Sequence, residues 1–150
     1  MTFLFRIFSV SITTLLLGLG ASIAAAQEGD DQNVFQLELN AAAETTAGNC
    51  RLTYVASNGS DIALSRTAYE VAIFDTSGVV TRLLVLEFGE LIEGKTKILQ
   101  FDLAETPCGS VSRIVVNDVA ACTRSDTGEE ADICLSGLAA SSRTAIQFGI

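Results

Sequence analysis

The chain has no histidine and no tryptophan, a single proline and only two tyrosines. Without histidine it lacks the commonest general base and the commonest metal ligand. No Gly-x-Ser-x-Gly elbow lifts one of its serines into the role of nucleophile. The only lysines, Lys95 and Lys97, stand beside a turn at the start of an exposed strand. There they read as solvated charges rather than as half of a Ser–Lys dyad. The carboxylates are scattered through turns, where Asp and Glu serve local hydrogen bonding. The aromatic platforms that accompany a sugar-cleaving carboxylate pair are almost absent. The expectation is therefore a protein that is not an enzyme and carries no cofactor. Basic residues are scarce too, with nine Lys and Arg against eighteen Asp and Glu. Such an acidic chain repels phosphate backbones and anionic lipid, so nucleic acid is not an expected partner.

The amino terminus carries the clearest positive signal. Arg6 supplies one charge, and Ile7 to Leu19 is apolar except for Ser, Thr and Gly. Ala24-Ala25-Ala26 follows, and then the polar run Gln27 to Asn33. A basic start, an apolar stretch and small residues at the −3 and −1 positions are the parts of a secretory signal. The expected cut lies before Gln27. No basic stop-transfer run follows, so no stable membrane insertion is expected after cleavage. The expected organisation is a signal peptide over 1–26, a flexible acidic tail over 27–33 and one domain over 34–150. With Arg6 removed, eight basic residues face eighteen acidic ones, a net charge of −10. The expected location is periplasmic or secreted.

Four cysteines, Cys50, Cys108, Cys122 and Cys134, all follow the cut. An even count in an exported chain reads as two disulfides, and the long irregular spacings without Cys-x-x-Cys argue against zinc. No metal site is expected from them. Asp126, Glu130 and Asp132 could offer oxygens to calcium, but the run lacks the EF-hand signature, and a solvated hairpin tip explains it equally well. Asn58-Gly59-Ser60 matches an N-glycosylation acceptor and reads, in a bacterial setting, simply as a turn.

The rest of the chain reads as strand after strand. Phe35, Leu37 and Leu39 alternate with polar residues, and Ala41 to Asn49 reads as a loop. Cys50, Leu52 and Tyr54 share a face of the next strand, and Tyr69, Val71 and Ile73 a face of the third. Asp75-Thr76-Ser77-Gly78 suits a hairpin built on a type I turn with a bulge. Val79 to Phe88 is apolar on both faces apart from Thr81, Arg82 and Glu87, which suits a central strand, with a short helix as the alternative that periodicity alone leaves open. Lys97, Leu99, Phe101 and Leu103 share a face of a fifth strand, and Val111 to Val116 forms a sixth. Thr144, Ile146, Phe148 and Ile150 share a face of a closing strand.

Asn58, the run Val71 to Gly78 and Leu91-Ile92-Glu93-Gly94-Lys95 resemble bacterial envelope domains with an immunoglobulin-like sandwich, including the FxLYD type. The likeness covers about half of the mature chain and leaves 117–150 outside it. The whole sequence is also similar to uncharacterised small exported proteins of Gram-negative bacteria. The resemblance implies an all-β fold, an immunoglobulin-like antiparallel β-sandwich of about seven strands, and no catalytic residues. The function expected is that of a non-catalytic envelope accessory or protein-interaction domain with a protein partner in the cell envelope. The alternative is a structural subunit of a secreted or surface assembly joined by strand exchange.

Strand direction also bears on the cysteines. If consecutive strands alternate up and down as an antiparallel meander, Cys50 and Cys108 begin strands at one end. Cys122 then ends a strand at the other end, and Cys134 returns there after the acidic loop. Bridged Cα atoms must lie within about 7 Å. The expected pairs are Cys50–Cys108 and Cys122–Cys134.

Overall fold

The computed structural model describes residues 35–150; the expected signal peptide and acidic tail lie outside the described residues. Period-two alternation of apolar and polar residues builds most of the strands, because successive side chains of an extended chain point to opposite faces. In β1 (Phe35–Glu44) the buried residues are Phe35, Leu37 and Leu39, and in β2 (Cys50–Asn58) they are Cys50, Leu52, Tyr54, Ala56 and Asn58. The others are β3 (Leu64–Asp75), β4 (Val80–Glu87), β5 (Thr96–Leu103), β6 (Val111–Arg124), β7 (Leu138–Ser142) and β8 (Gln147–Gly149). A 3₁₀ turn spans Cys108–Ser110, and the short helix α1 spans Ile133–Ser136.

The strands form two four-stranded sheets, ordered β5-β2-β1-β7 and β4-β3-β6-β8. The order β5-β2-β1 against β4-β3-β6 is that of an immunoglobulin-like sandwich. The inner faces meet in one core. Tyr54 sits at its centre, edge-on to Phe88, Phe101 and Phe148 with ring centroids 5.2 to 6.0 Å apart. Tilted ring pairs of this kind add attraction beyond the area they bury.

Several expectations are corrected. The expected sandwich is present, with eight strands for about seven, but it is mixed rather than wholly antiparallel: β7 runs parallel to β1, and β8 parallel to β6. The cause lies between β6 and β7. A hairpin, closed by a bridge between Thr123 and Glu130, and then α1 carry the chain across to the free edge of β1. The closing strand is two strands, because the chain bends at residues 143–146 and passes from one sheet to the other. Phe148 and Ile146 are buried, whereas Ile150 is exposed. Ala41 to Glu44 is no loop. The register shifts after Leu39, and Ala41 to Glu44 then pair with Thr53 to Cys50. The sixth strand runs on past Val116 to Arg124, following β3 through several register shifts.

The meander is also corrected. β2 and β3 belong to different sheets, as do β4 and β5. Strand direction still alternates, because each crossing between sheets reverses the chain as a hairpin would. The bridges are therefore the expected ones. Cys50 is joined to Cys108 with Cα atoms 4.7 Å apart, and Cys122 to Cys134 with Cα atoms 6.0 Å apart. Among the described residues no helix is long and apolar enough to cross a membrane.

Candidate interaction surface

The two outer faces of the sandwich differ in chemistry. On the first sheet, polar side chains pair across neighbouring strands. Arg51 bonds Asp102 at 2.7 Å, Gln100 donates to Thr53 at 3.1 Å, Ser57 meets Thr96 at 2.8 Å, and Arg143 reaches Glu38 at 2.9 Å. The Arg51 guanidinium holds the Asp102 carboxyl below the usual carboxylate range. Asn40, and then Arg143, do the same to Glu38. The polar groups of this face satisfy one another, and Ile98 of β5 stands exposed among them as a single large apolar residue.

The second sheet ends differently. β4, expected as a central strand, is its edge strand. Its apolar character on both faces follows from two separate demands. Leu84, Leu86 and the following Phe88 turn toward the core, with Leu86 and Phe88 buried and Leu84 partly so. Leu83 and Val85 point out, 57% and 51% exposed, opposite Ala72 and Glu70 of β3. Val79 and Val80 extend the exposed apolar run toward the hairpin. Isolated exposed apolar residues are ordinary, but a contiguous row along an unpaired strand edge invites another strand.

Hairpin chemistry fixes one end of β4. Asp75 accepts from the Ser77 N–H, the Ser77 hydroxyl and the Val79 N–H, and Gly78 takes the left-handed backbone at φ 82°. These bonds, led by the Ser77 hydroxyl, hold the Asp75 carboxyl below its usual range. At the other end Glu87 pairs with Arg66 at 2.8 Å.

The open side of the sandwich lies between the edges of β4 and β5. There Arg82, opposite Ile73 and half-buried, points inward. It lines a cleft of about 200 Å³ together with the apolar Ile73, Leu103 and Val111 and the acidic Asp75 and Glu105. Arg82 has no salt-bridge partner among the described residues. Lys97 closes the far end of the same side, donating to the carbonyls of Phe88 and Glu90 at 2.9 and 3.2 Å. Lys97 is thus a bonded strap across the sandwich edge, not a solvated charge.

The other residues singled out in the sequence have structural places. Asp126 is ion-paired to Arg124 at 2.7 Å, and Glu130 accepts from the Cys122 N–H and the Thr123 hydroxyl. No group of three His, Cys, Asp or Glu among the described residues has an arrangement that could hold a metal ion. Asn58 is buried. Its amide donates to the carbonyls of Ile62 and Leu91, and its oxygen accepts from the N–H and hydroxyl of Ser60. The apparent glycosylation acceptor is a turn lock with no free amide. The sequence does not mark β4 as an edge, because an apolar stretch carries the same pattern whether its second face meets protein or water.

No protein-family model matches the chain, and no curated protein matches it. A fold likeness exists. Among solved structures, IrmA from Escherichia coli is similar to this chain with a TM-score of 0.54 at 14% identity, covering 73% of this chain and 92% of IrmA. At that identity the likeness speaks for the β-rich fold alone.

Proposed function

We propose that this protein is an exported, non-catalytic protein-interaction domain of the cell envelope, and that the β4 edge is the surface it works with. One observation carries the reading: Val79, just before β4, and Val80, Leu83 and Val85 on it are exposed together along an unpaired strand edge, while on the opposite outer face Ile98 is a single exposed apolar residue among polar pairs. The two disulfides support a life outside the reducing cytosol. The lack of histidine and the turn-bound carboxylates support a role without catalysis. An FxLYD-type relationship remains part of the proposal, supported by the hairpin at Asp75 to Gly78 and the turn at Ile92 to Lys95. The strand-exchange alternative would use the same edge, since the chain's own last strand, β8, is already seated beside β6.

The test is site-specific crosslinking in the producing cell. A photoreactive residue replaces Leu83 or Val85, and in a parallel strain replaces Thr53 on the polar face. The expected result is one protein adduct, identified by mass spectrometry, from positions 83 and 85 and none from 53. Adducts from 53 alone, or from no position, would refute the interaction reading.

A further inference from the structure

An edge strand says that something can pair with it, and the chemistry around β4 narrows what that is. From Val79 to Leu86 there is no acidic residue. Beyond this run lie acids at both ends: Asp75 in the hairpin with Glu105 lining the same cleft, and at the other end Glu90, past Glu87, which is itself ion-paired to Arg66. The apolar stretch is therefore bracketed by negative charge, on a molecule that is negative as a whole. Its complement is an extended segment that is apolar in the middle and basic at both ends.

A second copy of this chain is a poor complement. Antiparallel pairing of β4 with itself keeps inward residues on the inward side, so it would bring two half-buried Arg82 side chains onto one open edge. Inward-pointing charges on edge strands are a recognised device against this kind of self-pairing. Two strongly acidic copies would also repel each other. A hetero-partner has neither problem. Its inward residue beside Arg82 needs only to be small or hydroxylated, since the cleft there is lined by Thr81, Thr106 and Ser110. Its outward residues would continue the apolar row of Ala72, Leu83 and Val85.

Resting on the interaction reading above, we infer that β4 accepts, as a fifth strand of its sheet, an extended peptide segment of a partner protein that alternates with an apolar outer face and carries Lys or Arg at each end. Main-chain bonds to the open edge supply the affinity, and the apolar row and flanking charges supply the choice of partner.

The probe is the capped peptide Lys-Val-Thr-Val-Thr-Val-Lys, titrated into the isotope-labelled protein and followed by amide shifts and amide hydrogen exchange. Two control peptides share its length. One has Glu in place of both Lys; the other has Pro in place of the central Val, which keeps the charge but cannot pair as a strand. Binding that slows exchange along β4 is expected, with affinity at least about tenfold above either control. Leu83→Ser and Val85→Ser, at exposed positions, should each weaken it, while Thr53→Ser on the polar face should not. Equal binding of the proline peptide would reduce the effect to net charge and overturn the inference. So would equal binding of the Glu peptide, protection elsewhere than β4, or no binding at peptide concentrations on the order of 1 mM. A β4-mediated homodimer in sedimentation would overturn it as well, by giving the edge to a second copy. In each of these cases, crosslinks to a partner at positions 83 and 85 would leave the broader interaction reading standing.

Discussion

Two tyrosines in the same core are held in opposite ways. Tyr69 donates its hydroxyl to the Cys134 carbonyl at 2.8 Å, whereas the buried Tyr54 hydroxyl has no partner among the described residues. A buried polar group without a partner costs its desolvation, while a satisfied one contributes about 1 kcal/mol. Tyr69→Phe should therefore destabilise the fold by about 1 kcal/mol, and Tyr54→Phe should be neutral or stabilising, measured by urea denaturation. Burial raises both phenols above their ordinary value. The folded state thus disfavours the phenolate. The stability these groups contribute is full below the unfolded value of about 10 and is lost as pH rises from there toward the folded values. Stability should fall above about pH 10, and less steeply in the double Tyr→Phe variant, read as denaturation midpoint against pH. Asn58 is the most heavily bonded side chain at a turn, with four hydrogen bonds from a buried position. Asn58→Ala removes these four bonds, leaving the Leu91 carbonyl to the Leu64 N–H and the Ile62 carbonyl to the Ser60 hydroxyl, and should cost about 3 kcal/mol in the same assay.

At the level of elements, the strands with clean alternation were legible, and so was the hairpin at Asp75 to Gly78. Phe35 to Leu39, Cys50 to Tyr54 and Lys97 to Leu103 each have one face in the core and one in water, so composition tracks environment. Three elements were not legible for three physical reasons. Ala41 to Glu44 pairs through its backbone with small side chains that leave no period. Leu138 to Ser142 is likewise mostly Ala and Ser, held by its parallel register with β1. β4 misleads because its outer face is apolar yet uncovered. The interaction surface was hidden for that same reason. The cysteine pairing survived a wrong neighbour map because it depends on which end each residue occupies, not on which strand lies beside it. The bridges close sequence separations of 58 and 12 residues. On chain entropy alone, replacing Cys50 and Cys108 by Ala should cost about 4 kcal/mol, and replacing Cys122 and Cys134 about 3 kcal/mol, compared by thermal and urea melts.

For the whole molecule, the apolar row on β4 should be separable from stability. Leu83 and Val85 are half exposed, so Leu83→Lys and Val85→Lys should change the unfolding free energy by less than about 0.5 kcal/mol. The same substitutions should abolish partner crosslinks. A large loss of stability would instead mean that the row packs on this chain's own surface.

The parallel pairs have a consequence in time. Phe35, first of the described strand residues, is in register with Leu138, and Ile114 with Phe148. Each sheet is therefore completed by residues near the end of the chain. Contacts of such long sequence separation form slowly, because the loop entropy is lost before the contacts repay it. Until residues 138–149 are seated, both sheets are unfinished. The seating of these two strands is thus the late step of folding, and a chain truncated before Leu138 would stay open to proteases however long it waited.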